Sequence, residues 1–231
     1  MIIGRGLLGN SLLEIDDDKY LFYANGISNS VLHQIPRNNF EINEIEEIAR
    51  QNNGKTFIYF STSQVNSQLN HHRAYVKHKL FVEELITKKF PDYLIVRTTN
   101  LVGHNPWNTH TLFNYLYNAI TVNEQINVNP VLIRNFLDAR HFATLLKVYL
   151  ENGGRNKMVE IINPASYSMQ QIVNEFEHFF SKRFNLQKVN EVNDFALFEL
   201  DASLTLKLMK ECGLSFDDHI QSLLKKYYSM N

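Results

Sequence analysis

The sequence predicts an α/β protein of the Rossmann type, with a parallel sheet and helices on both faces. Short β-rich runs alternate along the chain with amphipathic stretches, and this alternation is typical of strand–helix–strand units in a parallel sheet. A glycine-rich turn, Gly4-Arg5-Gly6-Leu7-Leu8-Gly9, follows the first apolar run and precedes a helical pattern. In Rossmann-type folds such a turn joins the first strand to the first helix.

Hydrophobic periodicity and capping signals give the individual elements. β-branched and aromatic runs predict strands, and apolar residues spaced by three and four predict helices. Ser168 with Gln171, and Ser215 with Asp218, have the spacing of helix-capping pairs. The predicted strands are 1–3, 20–24, 56–60, 93–97 and 159–162, and the predicted helices are 6–13, 41–51, 74–88, 139–152 and 168–184.

Length and composition favour one compact unit. With 231 residues, 44% of them hydrophobic, the chain can form a full core and a small C-terminal substrate lobe. We expect one interleaved unit, with a Rossmann core at about 1–103 and 134–163 and a lobe at about 104–133 and 164–231.

Charge and cysteine content exclude several classes of partner. The net charge of −1, from 23 basic and 24 acidic residues, provides no overall positive field for nucleic acid or an anionic membrane. No stretch approaches about 18 unbroken apolar residues, so we expect no membrane span. The single Cys212 cannot form an internal disulfide, which favours the reducing cytoplasm.

The glycine turn is the first chemical signal. Gly4, Gly6 and Gly9 would allow a tight turn and let a diphosphate approach the free N–H groups at the start of the helix. The alternative is a glycine-rich turn without a ligand. A ribose-binding carboxylate would follow about twenty residues later, but no Asp or Glu lies between Asp18 and Glu41.

Tyr75 and Lys79 form the second signal. They stand four residues apart on one face of a predicted helix. A nearby ammonium favours the ionised phenol and would lower its pKa from the usual value of about 10, so Tyr75 could act as a general acid or base. The alternative is an exposed tyrosine with a solvated lysine.

The order of the motifs resembles a known family. The glycine turn is followed by Tyr20-Leu-Phe-Tyr-Ala-Asn25-Gly26, Ser61-Thr62-Ser63-Gln64-Val65, Tyr75-x-x-x-Lys79, Arg97-Thr-Thr-Asn100 and Arg134-Asn-Phe-Leu-Asp138. This series is similar to the extended short-chain dehydrogenase/reductases, which include the sugar-nucleotide epimerases, dehydratases and reductases of polysaccharide biosynthesis.

The resemblance implies a set of roles. Thr62 would hydrogen-bond the reacting sugar oxygen, Tyr75 would move the proton, and Lys79 would hold the nicotinamide ribose of NAD or NADP. Asn100 would contact the nucleotide sugar, and Trp107 could stack on a base or sugar ring or anchor the lobe. The resemblance also implies a homodimer. The residues expected along the cofactor are Gly4, Arg5, Gly6, Leu7, Leu8, Gly9, Asn25 and Gly26.

The chain departs from the family between Gly9 and Tyr20, where it has room for only one short helix. We therefore expect a sheet reduced at the edge that binds adenosine. If NADP is used, Arg5 could meet its 2′-phosphate; otherwise it is an exposed arginine. Two functional classes remain open: an NAD(P)-dependent enzyme, and a non-catalytic relative that binds a dinucleotide or a partner.

Two further interpretations concern residues outside these motifs. His71, His72 and His78 lack zinc-like spacing to cysteines or carboxylates, so we expect solvent-facing histidines and no metal site. Tyr115, Leu116 and Ile120 have helical spacing, which predicts a buried helix face.

Overall fold

A five-stranded parallel sheet forms the centre of the protein. The structure, a computed structural model, describes residues 1–27, 35–51, 54–103, 111–189, 200–216 and 219–229. Within these ranges the sheet has the spatial order β1-β2-β3-β4-β9. Its strands are β1 (Ile2–Ile3), β2 (Tyr20–Tyr23), β3 (Thr56–Thr62), β4 (Tyr93–Thr98) and β9 (Lys157–Glu160).

The remaining strands form three small two-stranded sheets. The first pairs β5 (Asn100–Val102) with β8 (Phe136–Asp138), the second β6 (Gln125–Val128) with β11 (Asn185–Lys188), and the third β7 (Ile133–Arg134) with β10 (Tyr167–Ser168). The helices are α1 (Leu7–Ser11), α2 (Ile35–Gln51), α3 (Ala74–Lys89), α4 (Leu112–Val122), α5 (Ala139–Glu151), α6 (Met169–Phe180), α7 (Ser203–Cys212) and α8 (His219–Tyr228).

Alternation of side chains along the central strands produces two buried faces. In β2, Phe22 points into a cluster covered by α1, α5 and α7, while Leu21 and Tyr23 point into a cluster covered by α2 and α3. In β3, Ile58 points into the same cluster as Phe22, and Tyr59 points into the same cluster as Leu21 and Tyr23. Because successive strand residues point to opposite faces, a sheet covered by helices on both sides needs apolar residues at consecutive positions.

A third cluster lies beside the sheet and combines α4, α6 and α8. The rings of Phe113 and Phe136 are 4.8 Å apart, and those of Phe113 and Phe176 are 5.2 Å apart. Both distances are normal for aromatic packing. The cluster draws on residues from the range expected to form the lobe, but α7, from the same range, packs on α5 of the central sheet. The division into core and lobe therefore stays a prediction.

The predicted fold class is confirmed, including the reduced edge. Between Gly9 and Tyr20 the chain contains the end of α1, a 3₁₀ turn and a loop, and β1 is an edge strand of the sheet. The Ser168–Gln171 capping box is also present. Asp218, of the second predicted capping pair, lies outside the described residues.

Several boundaries differ from the predictions. The last central strand lies two residues earlier than predicted, because Lys157 and Met158 pair through the backbone although they are exposed. The helix predicted to reach 184 ends at Phe180, where Ser181 adopts a left-handed conformation. The prediction that Tyr115 is buried is wrong, since it is 41% exposed, whereas Leu116 and Ile120 are buried as predicted. No helix in the described ranges has the length and apolar character needed to cross a bilayer.

Candidate active site

The predicted site residues collect at one edge of the sheet. Gly4 follows β1, Asn25 follows β2, and Thr62 is the last residue of β3. Since these strands are parallel, their carboxyl ends meet at the same edge, which is where open α/β sheets bind ligands.

The glycine turn has the close backbone packing expected of it. Gly4 has φ +115°, and a Cβ there would lie 2.5 Å from the carbonyl oxygen of Ala24. A Cβ at Gly9 would lie 2.3 Å from the carbonyl oxygen of Gly4. A Cβ at Gly6 would have no atom within 4 Å. The first and third glycines are thus required by the fold, and the second leaves space beside the turn.

The helix after the turn is shorter than predicted. α1 spans Leu7–Ser11, and its N-cap, Gly6, makes no side-chain capping bond. Five residues contribute little macrodipole, so an anion at the turn would depend on local N–H groups. Leu7 and Leu8 are partly buried, and Arg5 is exposed.

Thr62 and Tyr75 come together although they belong to different elements. Thr62 ends β3 and is 7% exposed, while Tyr75 is the second residue of α3 and is half-buried. Thr62 lies close enough to the Tyr75 hydroxyl to lower its pKa. The Thr62 hydroxyl also accepts a bond from the backbone N–H of Gln64, at 3.3 Å. Thr62 ends a strand and Tyr75 lies at the start of the next helix, which brings them to the same edge of the sheet.

The expected lowering of the pKa of Tyr75 is wrong for the protein as it stands. Burial of the phenol raises its pKa to about 12, although the neighbouring Thr62 opposes the rise. Glu41 raises the pKa further, and the nearby guanidinium of Arg73 lowers it. The physical reason is desolvation of the phenolate, together with the engagement of Lys79 elsewhere.

Lys79 lies in a buried group of polar side chains that also contains Glu41, Tyr59 and His78, hereafter the Glu41 cluster. The ammonium donates to the Tyr59 hydroxyl at 2.7 Å and lies 3.4 Å from Glu41 Oε1. The side chains of Lys79 and Glu41 are each 2% exposed. Desolvation lowers the pKa of Lys79, while the charge of Glu41 opposes this change. Lys79 therefore forms a buried ion pair with Glu41.

Glu41 is bonded from several sides. The Tyr59 hydroxyl donates to Oε1 at 2.7 Å, while Oε2 lies 2.8 Å from His78 Nε2 and 3.1 Å from the backbone nitrogen of Ile27. Burial alone would raise the pKa of this carboxyl, but the bond from His78, the charge of Lys79 and the other donors lower it to about 2. Glu41 is consequently a permanent anion under the sheet edge.

The Asn25–Gly26 turn covers the Glu41 cluster. A Cβ at Gly26 would lie 2.9 Å from Glu41 Oε1 and 3.0 Å from Lys79 Nζ, so only glycine fits without a shift. Asn25 Nδ2 donates to Glu44 Oε2 at 3.1 Å. The turn predicted to lie along the cofactor is thus fixed from below by acidic side chains of α2.

Arg73 lies beside the hydroxyl pair. Its Nη1 donates to Gln64 Oε1 at 3.3 Å, and its charge acts on both Tyr75 and Arg134. Arg134 is partly buried, and desolvation followed by the charge of Arg73 lowers its pKa. Arg73 therefore supplies a positive charge that acts on the Tyr75 hydroxyl.

The other predicted site residues have mixed placements. Asn100 is exposed, and its Nδ2 donates to the backbone oxygen of Asn135 at 3.1 Å. Trp107 lies outside the described residues. Of the histidines expected to face solvent, His78 does not, because it is buried against Glu41, and His71 lies 2.8 Å from the carbonyl oxygen of Val65. No group of metal-ligating side chains occurs within the described ranges.

The sequence prediction missed Glu41, Tyr59 and Arg73. One signal pointed toward an acidic partner: a lysine on the sheet-facing side of a helix is almost never fully buried without a counter-charge. That rule does not say which of the 24 acidic residues supplies it.

The two halves of a nicotinamide dinucleotide fit this edge unequally. The open space at Gly6 and the close approach of Gly4 to Ala24 suit a diphosphate. At the other half, two of the three ammonium protons of Lys79 already have acceptors, and the residue is 2% exposed. The diphosphate half fits as it stands, and the ribose half does not.

Comparison with known proteins identifies the fold. No protein-family model and no curated protein matches the chain. Among solved structures, UDP-glucose 4-epimerase from Stenotrophomonas maltophila, with bound NAD and formylated UDP-arabinopyranose, has a TM-score of 0.72 and 17% identity. That match covers 96% of this chain and 78% of the epimerase.

Two other solved structures agree. dTDP-glucose 4,6-dehydratase from Bacillus anthracis, in complex with NAD, has a TM-score of 0.67 and 12% identity over 96% of this chain and 78% of its own. RMD from Pseudomonas aeruginosa, complexed with NADPH, has a TM-score of 0.70 and 12% identity over 97% of this chain and 87% of its own. The fold implied by the resemblance to extended short-chain dehydrogenase/reductases is thereby confirmed.

Proposed function

We propose that the protein is an NAD(P)-dependent epimerase, dehydratase or reductase of a nucleotide-activated sugar, with Tyr75 as its general acid or base. The observation that carries the proposal is the proximity of Thr62, at the end of β3, to the Tyr75 hydroxyl at the start of α3, where Thr62 lowers the pKa of Tyr75. The fold likeness to epimerases and a dehydratase bound to NAD supports the same class of chemistry.

The roles of the chain's own residues follow from their positions. Thr62 orients the Tyr75 hydroxyl and offers a second hydroxyl to a sugar oxygen. With a pKa of about 12, Tyr75 is protonated at neutral pH and is poised to donate its proton to a sugar carbonyl oxygen. A bound nicotinamide would supply or accept the hydride. Arg73 stabilises the phenolate left after the transfer.

The backbone of the glycine turn would hold the diphosphate, with Arg5 at its exposed side, and the choice between NAD and NADP stays open. Asn100 would contact the nucleotide sugar. A role in polysaccharide biosynthesis, a homodimer and a cytoplasmic location stay predictions of the same resemblance.

Titration with NADH and NADPH tests the cofactor site, with nicotinamide fluorescence as the signal. Gly6→Asp and Gly6→Asn are a matched pair, because a side chain at Gly6 meets no atom within 4 Å and the two differ only in charge. We expect saturable binding that Gly6→Asp weakens at least about tenfold and that Gly6→Asn largely retains, since a carboxylate repels a diphosphate. Absence of binding by both dinucleotides would refute the cofactor proposal.

Turnover on a panel of UDP- and dTDP-sugars tests the role of Tyr75. We expect Tyr75→Phe to reduce kcat by about 10²–10⁴-fold, the usual contribution of a general acid or base. Tyr115→Phe is the control, because that tyrosine is 41% exposed on α4. Equal activity of Tyr75→Phe and the parent would exclude the proton-transfer role.

The second candidate is a non-catalytic protein that binds a nucleotide or a partner. The burial of Lys79 against Glu41 favours it, as does the reduced sheet edge beside β1. It predicts binding of a nucleoside diphosphate without turnover of any sugar nucleotide. Isothermal titration with UDP and UDP-sugars, followed by product analysis, separates the two candidates.

A further inference from the structure

The buried Glu41 cluster has a feature that the proposed mechanism does not use. Lys79 and Tyr75 share one helix, yet the ammonium bonds to Tyr59 and Glu41, while Thr62 is the side chain that acts on the Tyr75 hydroxyl. Tyr59 comes from β3 and Glu41 from α2, so two other elements hold the end of the lysine side chain. The direction taken by the Lys79 side chain is thus decided outside its own helix.

Glu41 is well placed to exert this control. It is 1% exposed, and Tyr59, His78 and the Ile27 backbone fix its carboxylate in addition to Lys79. Because three other donors fix the carboxylate of Glu41, the position of this carboxylate determines where the Lys79 ammonium lies. The covering turn leaves no room for movement, as a Cβ at Gly26 would touch both charged groups.

We propose that Glu41 is a positioning residue for Lys79, which holds the ammonium against Tyr59 and thereby keeps its charge off the Tyr75 hydroxyl. In this arrangement Arg73, at the start of α3, supplies the positive charge at Tyr75. The inference deepens the proposed function and rests on it for its consequence in proton transfer. Its test, however, requires neither dinucleotide nor substrate.

The pattern of electrostatic effects on Tyr75 supports this geometry. Arg73 lowers the pKa of Tyr75 and Glu41 raises it. Replacement of Glu41 by glutamine removes this anion and frees the Lys79 ammonium from its acid. Both changes favour the phenolate, and an opposite charge at about 4–6 Å lowers a pKa by about 1–3 units.

The experiment measures Tyr75 ionisation directly in four proteins: the parent, Glu41→Gln, Lys79→Met and the double variant. Replacing tyrosine by 3-fluorotyrosine, a more acidic phenol, brings the transition into a pH range where the protein stays folded. Fluorine NMR follows it, and Tyr75→Phe assigns the signal. Glu44→Gln is the matched control, because Glu44 lies one helical turn from Glu41 and bonds to Tyr23 and Asn25 instead.

We expect Glu41→Gln to lower the midpoint of Tyr75 by about 1 unit or more. Lys79→Met should change it little in the parent background and raise it clearly in the Glu41→Gln background. Glu44→Gln should leave the ionisation midpoint of Tyr75 within about 0.3 pH units of the parent value, because solvent screens the charge of Glu44. Equal effects of Lys79→Met in both backgrounds, or no effect of Glu41→Gln, would overturn the proposal.

A buried lysine without its acid costs stability, so folding is checked by circular dichroism before each titration. If Glu41→Gln does not fold, Glu41→Asp replaces it: the charge stays while the carboxylate withdraws from Lys79. A lowered Tyr75 midpoint in Glu41→Asp then supports positioning, and an unchanged one refutes it. Failure of NADH binding with a positive NMR result would count against the proposed function and leave the positioning role intact.

Discussion

His219 should make the protein sensitive to mild acid. It begins α8, is 4% exposed, and its ring stacks on Phe136 at 5.6 Å and contacts Phe216 at 5.3 Å. Its Nε2 has no hydrogen-bond partner among the residues that the structure describes. Desolvation lowers the pKa from 6.5 to about 4, and the Phe136 backbone opposes this change. The fold therefore selects the neutral ring.

The sign and the size follow from this difference. Since the folded pKa lies below the unfolded one, the stabilisation is complete above pH 6.5 and is lost as the pH falls towards 4. A difference of about 2.5 units corresponds to roughly 3 kcal/mol, of which about 2 kcal/mol should disappear between pH 7 and pH 5. Charged neighbours act in opposite directions: Asp138 favours the imidazolium, while His141 and Lys226 disfavour it.

Urea unfolding between pH 7 and pH 5 measures this loss. His219→Asn removes the titrating group and keeps an N–H donor for the Phe136 carbonyl, so we expect a flatter pH dependence by about 2 kcal/mol over that range. His178→Asn, at an exposed position of α6, should keep the slope of the parent. If His219→Asn and the parent lose stability in parallel, desolvation of this ring is not the cause.

Two other substitutions test the framework of the site. Gly9→Ala places a Cβ 2.3 Å from the Gly4 carbonyl oxygen and should cost about 1–3 kcal/mol in urea unfolding, whereas Gly6→Ala should stay within about 0.5 kcal/mol. Equal effects would refute the assigned packing of the turn. Arg97 donates from Nε to Glu83 Oε1 at 3.0 Å and from Nη2 to Glu83 Oε2 at 2.5 Å. A lysine cannot make this two-point contact, so Arg97→Lys should lower the free energy of unfolding by about 1.5–3 kcal/mol. An unchanged unfolding midpoint would show that this contact does not anchor α3.

The fold was predictable because its signals are local. Consecutive apolar residues in 56–60 predict a strand buried on both faces, and β3 is buried throughout. The meeting of Thr62 and Tyr75 follows from connectivity, since a strand end and the next helix start lie at one edge. The prediction that Tyr115 is buried failed because helical spacing identifies the buried face of a helix but not its limits. Tyr115 lies at the margin of the buried face of α4.

The Glu41 cluster was not predictable because it depends on long-range pairing. Glu41 and Lys79 are 38 residues apart in sequence, and Glu41 reaches the lysine only because α2 packs on α3. The motif spacing correctly placed Lys79 one turn from Tyr75, but spacing gives no information on competing partners. As a result, the predicted direction of the Tyr75 pKa was wrong.

The Glu41 cluster also sets how a dinucleotide can bind. A nicotinamide ribose that takes Lys79 from Glu41 must compensate for a broken buried ion pair, which costs about 3–5 kcal/mol when nothing replaces it. Every 1.4 kcal/mol of that cost weakens binding tenfold. A ribose that uses only the third ammonium proton avoids this cost. The ratio of NADH affinities in Glu41→Gln and the parent distinguishes the two modes, because the first predicts a large gain on removal of the acid and the second predicts almost none.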